Sequence, residues 1–130
     1  MDRRAVVLAV IEEEMAKPYD YATSDCFKAA CAVVDVLTGS SFRRDFGGRY
    51  RTLLGAQKAL RKQGHTHLAS FWAQHLPQIE PARAQFGDIA VLSFDGQDHA
   101  AVCVGMFWCR TPLGDRQFPL SAVQAAFRVA

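Results

Sequence analysis

The chain has 130 residues, half of them apolar, and a formal net charge of +2. That length suits one domain over residues 1–130 with a single core, and the composition excludes a disordered or low-complexity chain. The densest basic cluster is Arg43, Arg44, Arg49 and Arg51, with Phe42, Phe46 and Tyr50 between its members. At so small a net charge it reads as a solvated basic loop, and no nucleic-acid partner is expected.

No membrane span or ordinary signal core is visible, because Glu12, Glu13 and Glu14 end the apolar run that begins at Ala5. Synthesis and folding in the cytoplasm are expected, without a membrane partner. Four cysteines in that setting need not pair. Cys26 with Cys31 and Cys103 with Cys109 do not have the spacing of zinc-ligand pairs, so no metal is expected. Nothing implies an organic cofactor.

In chain order, Asp2 caps a first helix running through about Ala16, with Val6, Val7, Val10, Ile11 and Met15 as its apolar stripe. Arg3 and Arg4 lie at its start and the glutamates near its end, against the dipole, so it must lean on packing. Pro18 stops it. Thr23, Ser24 and Asp25 offer capping oxygens for a second helix that starts at Cys26. Phe27, Ala30, Cys31, Val34 and Leu37 recur there at helical spacing until Gly39 stops it. Residues 40–48 read as a polar loop. Residues 50–63 read as a helix with Leu53, Leu54, Ala56, Gln57 and Leu60 on or around its inner face, closed by Gly64. Residues 67–76 read as a short helix carrying Leu68, Phe71, Trp72 and Leu76, and residues 78–85 as loop.

The texture then changes to strands. Residues 88–94 and 99–104 form a hairpin about the turn signal Asp95-Gly96-Gln97-Asp98. Residues 107–111 and 116–120 form a second pair. Ser121 caps a helical turn over residues 122–126, and residues 127–129 add an edge strand. Helices first and strands afterwards predict an α+β fold, with N-terminal helices packed on a mostly antiparallel sheet.

Cys26 falls in the first turn of its helix, where unpaired amides and the dipole favour an anion; the thiolate is the reactive form of cysteine. A nucleophilic thiol needs a base. His65, His67 and His75 read as surface histidines. His99 opens a strand directly after a tight turn, at the sheet rim, where an imidazole can face a helix N-terminus. Cys31 and Cys103 read as buried, inert thiols, Asp35 as a local cap, and Asp88 as a hydrogen-bond acceptor at the strand entry.

Taken together, Pro18-Tyr19 with Tyr21, Asp25-Cys26, Gly87-Asp88 and His99-Ala-Ala-Val-Cys-Val-Gly105 resemble the NlpC/P60 family of papain-like peptidases. The match is nearest to its small phage-borne branch, found among tail-gene proteins of phages and gene transfer agents, with Gly48-Arg49-Tyr50 between the halves. The resemblance implies a papain-like fold. It implies a cysteine peptidase or amidase acting on peptidoglycan stem peptides through a thioester, with Cys26 as nucleophile and His99 as base. The Cys26 N–H would hold the oxyanion, and Tyr19, Tyr21 and Asp25 would line the substrate site. Phage tail proteins are the implied partners, and a phage or phage-like tail particle the implied destination.

The sequence departs from that family in three places. Cys26-Phe27-Lys28 stands where Cys-Ser-Gly is usual, and Ala22, Thr23 and Ser24 replace Gly-Gly. The strand after His99 offers Phe107, Trp108, Cys109, Arg110 and Thr111, none of them the His, Asn or Gln that orients the base. Gln117, one strand further, is within reach. A second reading follows from these departures: a structural or adaptor component of a tail, keeping the fold without the activity.

Overall fold

Asp2 accepts the Ala5 N–H and opens α1 (Arg3–Met15) in the computed structural model, which describes residues 2–130. Val7 and Ile11 of α1 turn inward, and so does Glu14, while Met15 is half exposed. The apolar stripe thus ends one residue earlier than the periodicity suggests. Glu14 faces inward because three partners converge on it: Lys17 Nζ at 2.8 Å, Arg43 Nη1 at 3.0 Å and Ser24 Oγ at 2.9 Å. Its carboxyl sits below the ordinary value; burial pushes upward, but the bonds from Arg43, Lys17 and Ser24 outweigh it.

The second helix, α2 (Cys26–Thr38), is capped by Asp25 and ends at Gly39 in the left-handed region, as its sequence indicates. Ala29, Ala30, Cys31, Val33 and Val34 are fully buried. Residues 40–48 are not plain loop: Asp35 accepts the Ser40 hydroxyl and the Phe42 and Arg43 N–H groups, and a short helix α3 (Phe42–Asp45) forms there. Helix α4 (Leu53–Lys62) begins later than expected, because Thr52 accepts the Gly55 N–H and Tyr50 stays extended. Helix α5 (Leu68–His75) buries Leu68, Phe71 and Trp72.

The strands are β1 (Gln78–Ile79), β2 (Ile89–Phe94), β3 (Gln97–Val104), β4 (Met106–Thr111), β5 (Gly114–Phe118) and β6 (Val123–Phe127). They form one sheet, every pairing antiparallel, in the order β1-β6-β2-β3-β4-β5. Two expectations are corrected here. Residues 78–85 contain β1, and residues 122–126 form most of β6 rather than a helical turn. Nor is the chain end an edge strand: β6 lies between β1 and β2. Pairing with two neighbours satisfies its backbone on both sides, and Ala125, Ala126 and Phe127 are buried, which overrides the helical preference of its alanines.

Alternating residues build two apolar layers. Ile89, Val91, Ala100, Val102, Trp108 and Phe127 pack with the helices, whereas Ala90, Leu92, Ala101, Cys103, Phe107 and Cys109 form a second cluster. The helix-to-sheet joint closes at Gly87, whose φ is +94° and where an added Cβ would lie 3.0 Å from both Leu37 and Val7 side chains. Beside it, buried Asp88 accepts the Gln85 and Val129 N–H groups and pairs with Arg3 and Arg128. Arg3 therefore serves as a strap between α1 and the sheet, which offsets its unfavourable place at the helix start. No helix among the described residues is long and apolar enough to cross a membrane.

Removing the Glu14 charge should loosen the junction of α1 with the start of α2 and with α3. Glu14→Gln is expected to cost about 1.5–3 kcal/mol at pH 7, read by denaturant unfolding. Because the folded carboxyl titrates below its ordinary value, that contribution is present above the unfolded value and lost as pH falls through the folded one. The difference from wild type should shrink in acid.

Candidate active site

The start of α2 is held by a buried network. Asp25 Oδ1 accepts the Lys28 N–H at 2.8 Å, and Oδ2 accepts the Tyr50 hydroxyl at 2.6 Å. Lys28 is buried too: its ammonium donates to the Gly47 carbonyl and lies 3.4 Å from the centre of the Tyr50 ring. The Gly48-Arg49-Tyr50 segment is thereby tied to the turn that carries Cys26. Burial raises the Asp25 carboxyl above its ordinary value, although Lys28 and Tyr50 pull the other way. Asp25 borders the cleft, but both its oxygens are occupied by the protein, so it positions the helix.

On the sheet side, Phe94 pairs with Gln97, leaving Asp95 and Gly96 as a two-residue turn with positive φ at both. The strand therefore begins at Gln97, and His99 is its third residue, opposite Leu92, rather than its first. Asp98 accepts the Leu68 N–H and so anchors α5 to this strand. His99 is nearly buried, with 8% of its surface exposed.

These two ends meet. The Cys26 thiol and the His99 ring come together at one cleft, near enough to act on each other's protonation. His99 Nε2 lies 3.3 Å from the Phe94 carbonyl, and the Phe94 ring stacks on the imidazole at a centroid distance of 3.7 Å and 4° between planes. A carbonyl only accepts, so Nε2 carries a proton, and in the neutral ring Nδ1 is the free base. Phe94 thus occupies the orienting place for which no side chain stands out on β4. Arg110 is not directed at His99: it pairs with Asp115 and donates to Ser24 Oγ and the Lys17 carbonyl. Thr111 bonds within its own turn, to the Gly114 carbonyl.

Sequence reading did not single out Cys109, which is buried and forms a thiol–thiol contact with Cys26. This contact, and then burial, push the Cys26 thiol well above its ordinary value; the His99 contact pulls it down by less. The direction is opposite to that expected from the helix N-terminus alone, because the Cys109 sulfur beside it and desolvation both favour the Cys26 S–H form. His99 moves up from 6.5: burial works against the charged ring, but the contacts with Cys26 and Phe94 outweigh it. The Cys26 side chain is thus biased towards its thiol form.

Both groups open on a cleft of about 430 Å³. Tyr19 and Tyr21 border it, packed edge to face with ring centres 5.3 Å apart. Tyr19 is half-buried, and burial drives its hydroxyl strongly upward, so it stays a neutral donor. His65 and His67 also border the cleft, but His65 pairs with Ser70 and Gln74, His67 lies 3.6 Å from Asp98, and His75 packs against Phe71. Among the described residues no group of three His, Cys, Asp or Glu side chains is placed to hold a metal. The basic cluster is partly structural: Arg43 pairs with Glu14 and donates to the Thr23 carbonyl, and Arg49 lies over the Phe46 ring.

A family described as Domain of unknown function (DUF6950) matches residues 1–129. The chain belongs to that family. No curated protein matches it. Family membership covers the α helices and the sheet together, so Cys26, His99, Phe94 and Cys109 all lie within the matched region.

The proton balance at Cys26 can be read directly. Cys109→Ala should shift the pH profile of Cys26 alkylation to lower pH, and His99→Ala should shift it to higher pH, followed on the Cys26 peptide by mass spectrometry. Unchanged profiles in both variants would show that neither contact acts on the thiol.

Proposed function

We propose that this protein is an NlpC/P60-like cysteine hydrolase of papain-like fold, cleaving an acyl bond through a Cys26–His99 dyad. The observation that carries the reading is the juxtaposition of a thiol at the capped start of α2 with an imidazole across the same cleft. The antiparallel sheet behind N-terminal helices supports the fold assignment. The substrate suggested by the resemblance is a peptidoglycan stem peptide, and the setting a phage or phage-like tail.

The protonated resting state defines the route. His99 Nδ1 takes the thiol proton as Cys26 Sγ attacks the carbonyl carbon, forming the C–S bond. The oxyanion lies against the Cys26 N–H at the helix start, where the dipole favours negative charge. The proton then passes from His99 to the departing nitrogen as the C–N bond breaks, leaving a thioester. Water, deprotonated by His99, cleaves the thioester and restores the thiol. The Phe94 carbonyl stabilises the imidazolium through Nε2–H during both transfers, the part a side-chain orienter plays in other triads.

Hydrolysis of peptidoglycan fragments should vanish in Cys26→Ala and fall by about 10²–10⁴-fold in His99→Ala. The dyad needs neutral His99, whose value lies above 6.5, so kcat/KM should decline as pH drops through that raised value. Release of new stem-peptide ends, measured by mass spectrometry, tests the substrate. A wild-type protein that forms no adduct and releases no peptide would leave the cleft as a binding groove of an adaptor.

A further inference from the structure

We propose that the cleft beside Cys26 is built to seat a large apolar acyl group, held between α4 and an aromatic wall. This assignment rests on Cys26 being the acyl-accepting nucleophile of the proposed hydrolase, and it replaces the stem peptide suggested by the resemblance with an apolar acyl donor. Helix α4 is the starting observation. Leu53, Ala56 and Leu60 recur on one side of it and all border the cleft, yet no residue of α4 is buried. In α1 and α2 the inward face includes residues fully withdrawn from water, such as Val7, Ala30 and Val34. An amphipathic helix normally buries that face against the core. Here the face meets a cavity.

The opposite wall begins at the nucleophile itself. Phe27 follows Cys26 in the chain and packs edge to face on Phe71 at 5.4 Å; Phe71 in turn packs on Phe46 at 5.1 Å. All three rings border the cleft. Its charged side chains are committed elsewhere or peripheral. Asp25 is bonded to Tyr50 and the Lys28 N–H, Asp98 holds the Leu68 N–H and lies 3.6 Å from His67, and Arg61 is on the exposed part of α4. The cleft therefore has a polar group pair that suits a carbonyl and apolar walls that suit a hydrocarbon or aromatic body. Its volume of about 430 Å³ is within the range of small-molecule sites and far larger than the methyl of an alanyl group requires. The occupant consistent with both halves is an acyl donor with an apolar body, whether an aliphatic chain or the side chain of a leucyl or phenylalanyl residue.

The experiment uses the full chain with 4-nitrophenyl esters of acetate, octanoate, N-acetyl-leucine and N-acetyl-phenylalanine. Acylation of Cys26 is read by intact mass and by the nitrophenolate burst, with Cys26→Ala as the blank. At least one of the apolar esters should acylate Cys26 about tenfold or more faster than acetate. The octanoate and amino-acid arms distinguish an aliphatic chain from a peptide side chain. Leu53→Asp and Ala56→Trp should abolish that preference, read as the ratio of the apolar-ester rate to the acetate rate; both residues border the cleft, and neither packs on the core cluster. One rate across all four esters, or a preference indifferent to both variants, overturns the apolar site while leaving the hydrolase reading standing. No acylation of Cys26 by any ester overturns both.

Discussion

The site depends on one buried carboxylate. Asp25 caps α2 with one oxygen and holds the Tyr50 hydroxyl with the other, so a single side chain aligns the helix start with the segment that crosses over it. Capping of this kind contributes about 1 kcal/mol, and a hydrogen bond to a charged group about 1.5–3 kcal/mol. Together they are comparable to a sizeable part of a small domain's net stability. The position of Cys26 is thus linked to stability: losing either bond both loosens the fold and moves the nucleophile.

A second constraint comes from the sheet. The two-residue turn Asp95-Gly96 sets the register of β2 against β3, and a shift of one residue would turn His99 to the other face. The same hairpin places the Phe94 carbonyl beside His99 Nε2 and the Phe94 ring on the imidazole. Asp98, one residue before His99, fixes α5 and with it the Phe71 wall. Turn, base, orienter and cleft wall are therefore one mechanical unit. Cys109 reaches the thiol from β4, which makes the protonation of Cys26 a property of the sheet as much as of the helix.

Short-range signals were legible and long-range ones were not. The Asp25 cap, the Cys26 helix and its Gly39 stop, and the existence of the β2–β3 hairpin are written in local residue types; the helix appears as read, while the hairpin turn is two residues shorter and β3 starts at Gln97. The strand β6 was missed because Val123-Gln-Ala-Ala-Phe127 carries little strand signal of its own; its place between β1 and β2 is decided by partners far away in sequence. The two-residue β1 is too short for any periodicity to announce it. The burial of Glu14 has no local signal, because its partners Ser24 and Arg43 lie in other elements. The orienter of His99 could not be found among side chains because it is a backbone carbonyl, and every residue has one.

What the sequence determined by itself was local: an α+β order of elements, a cysteine in the first turn of a capped helix, and a histidine just after a tight turn. These depend on capping chemistry, glycine conformations and apolar spacing, all of which act over a few residues. The tertiary structure alone decided that His99 meets Cys26, that Cys109 touches the same thiol and raises it, and that the apolar face of α4 borders a cleft instead of the core. Of that α4 face, Leu60 also packs on the core while Leu53 and Ala56 do not. Those outcomes depend on how α2, α4 and the sheet dock. Docking is set by summed burial across the whole chain, which no single stretch encodes.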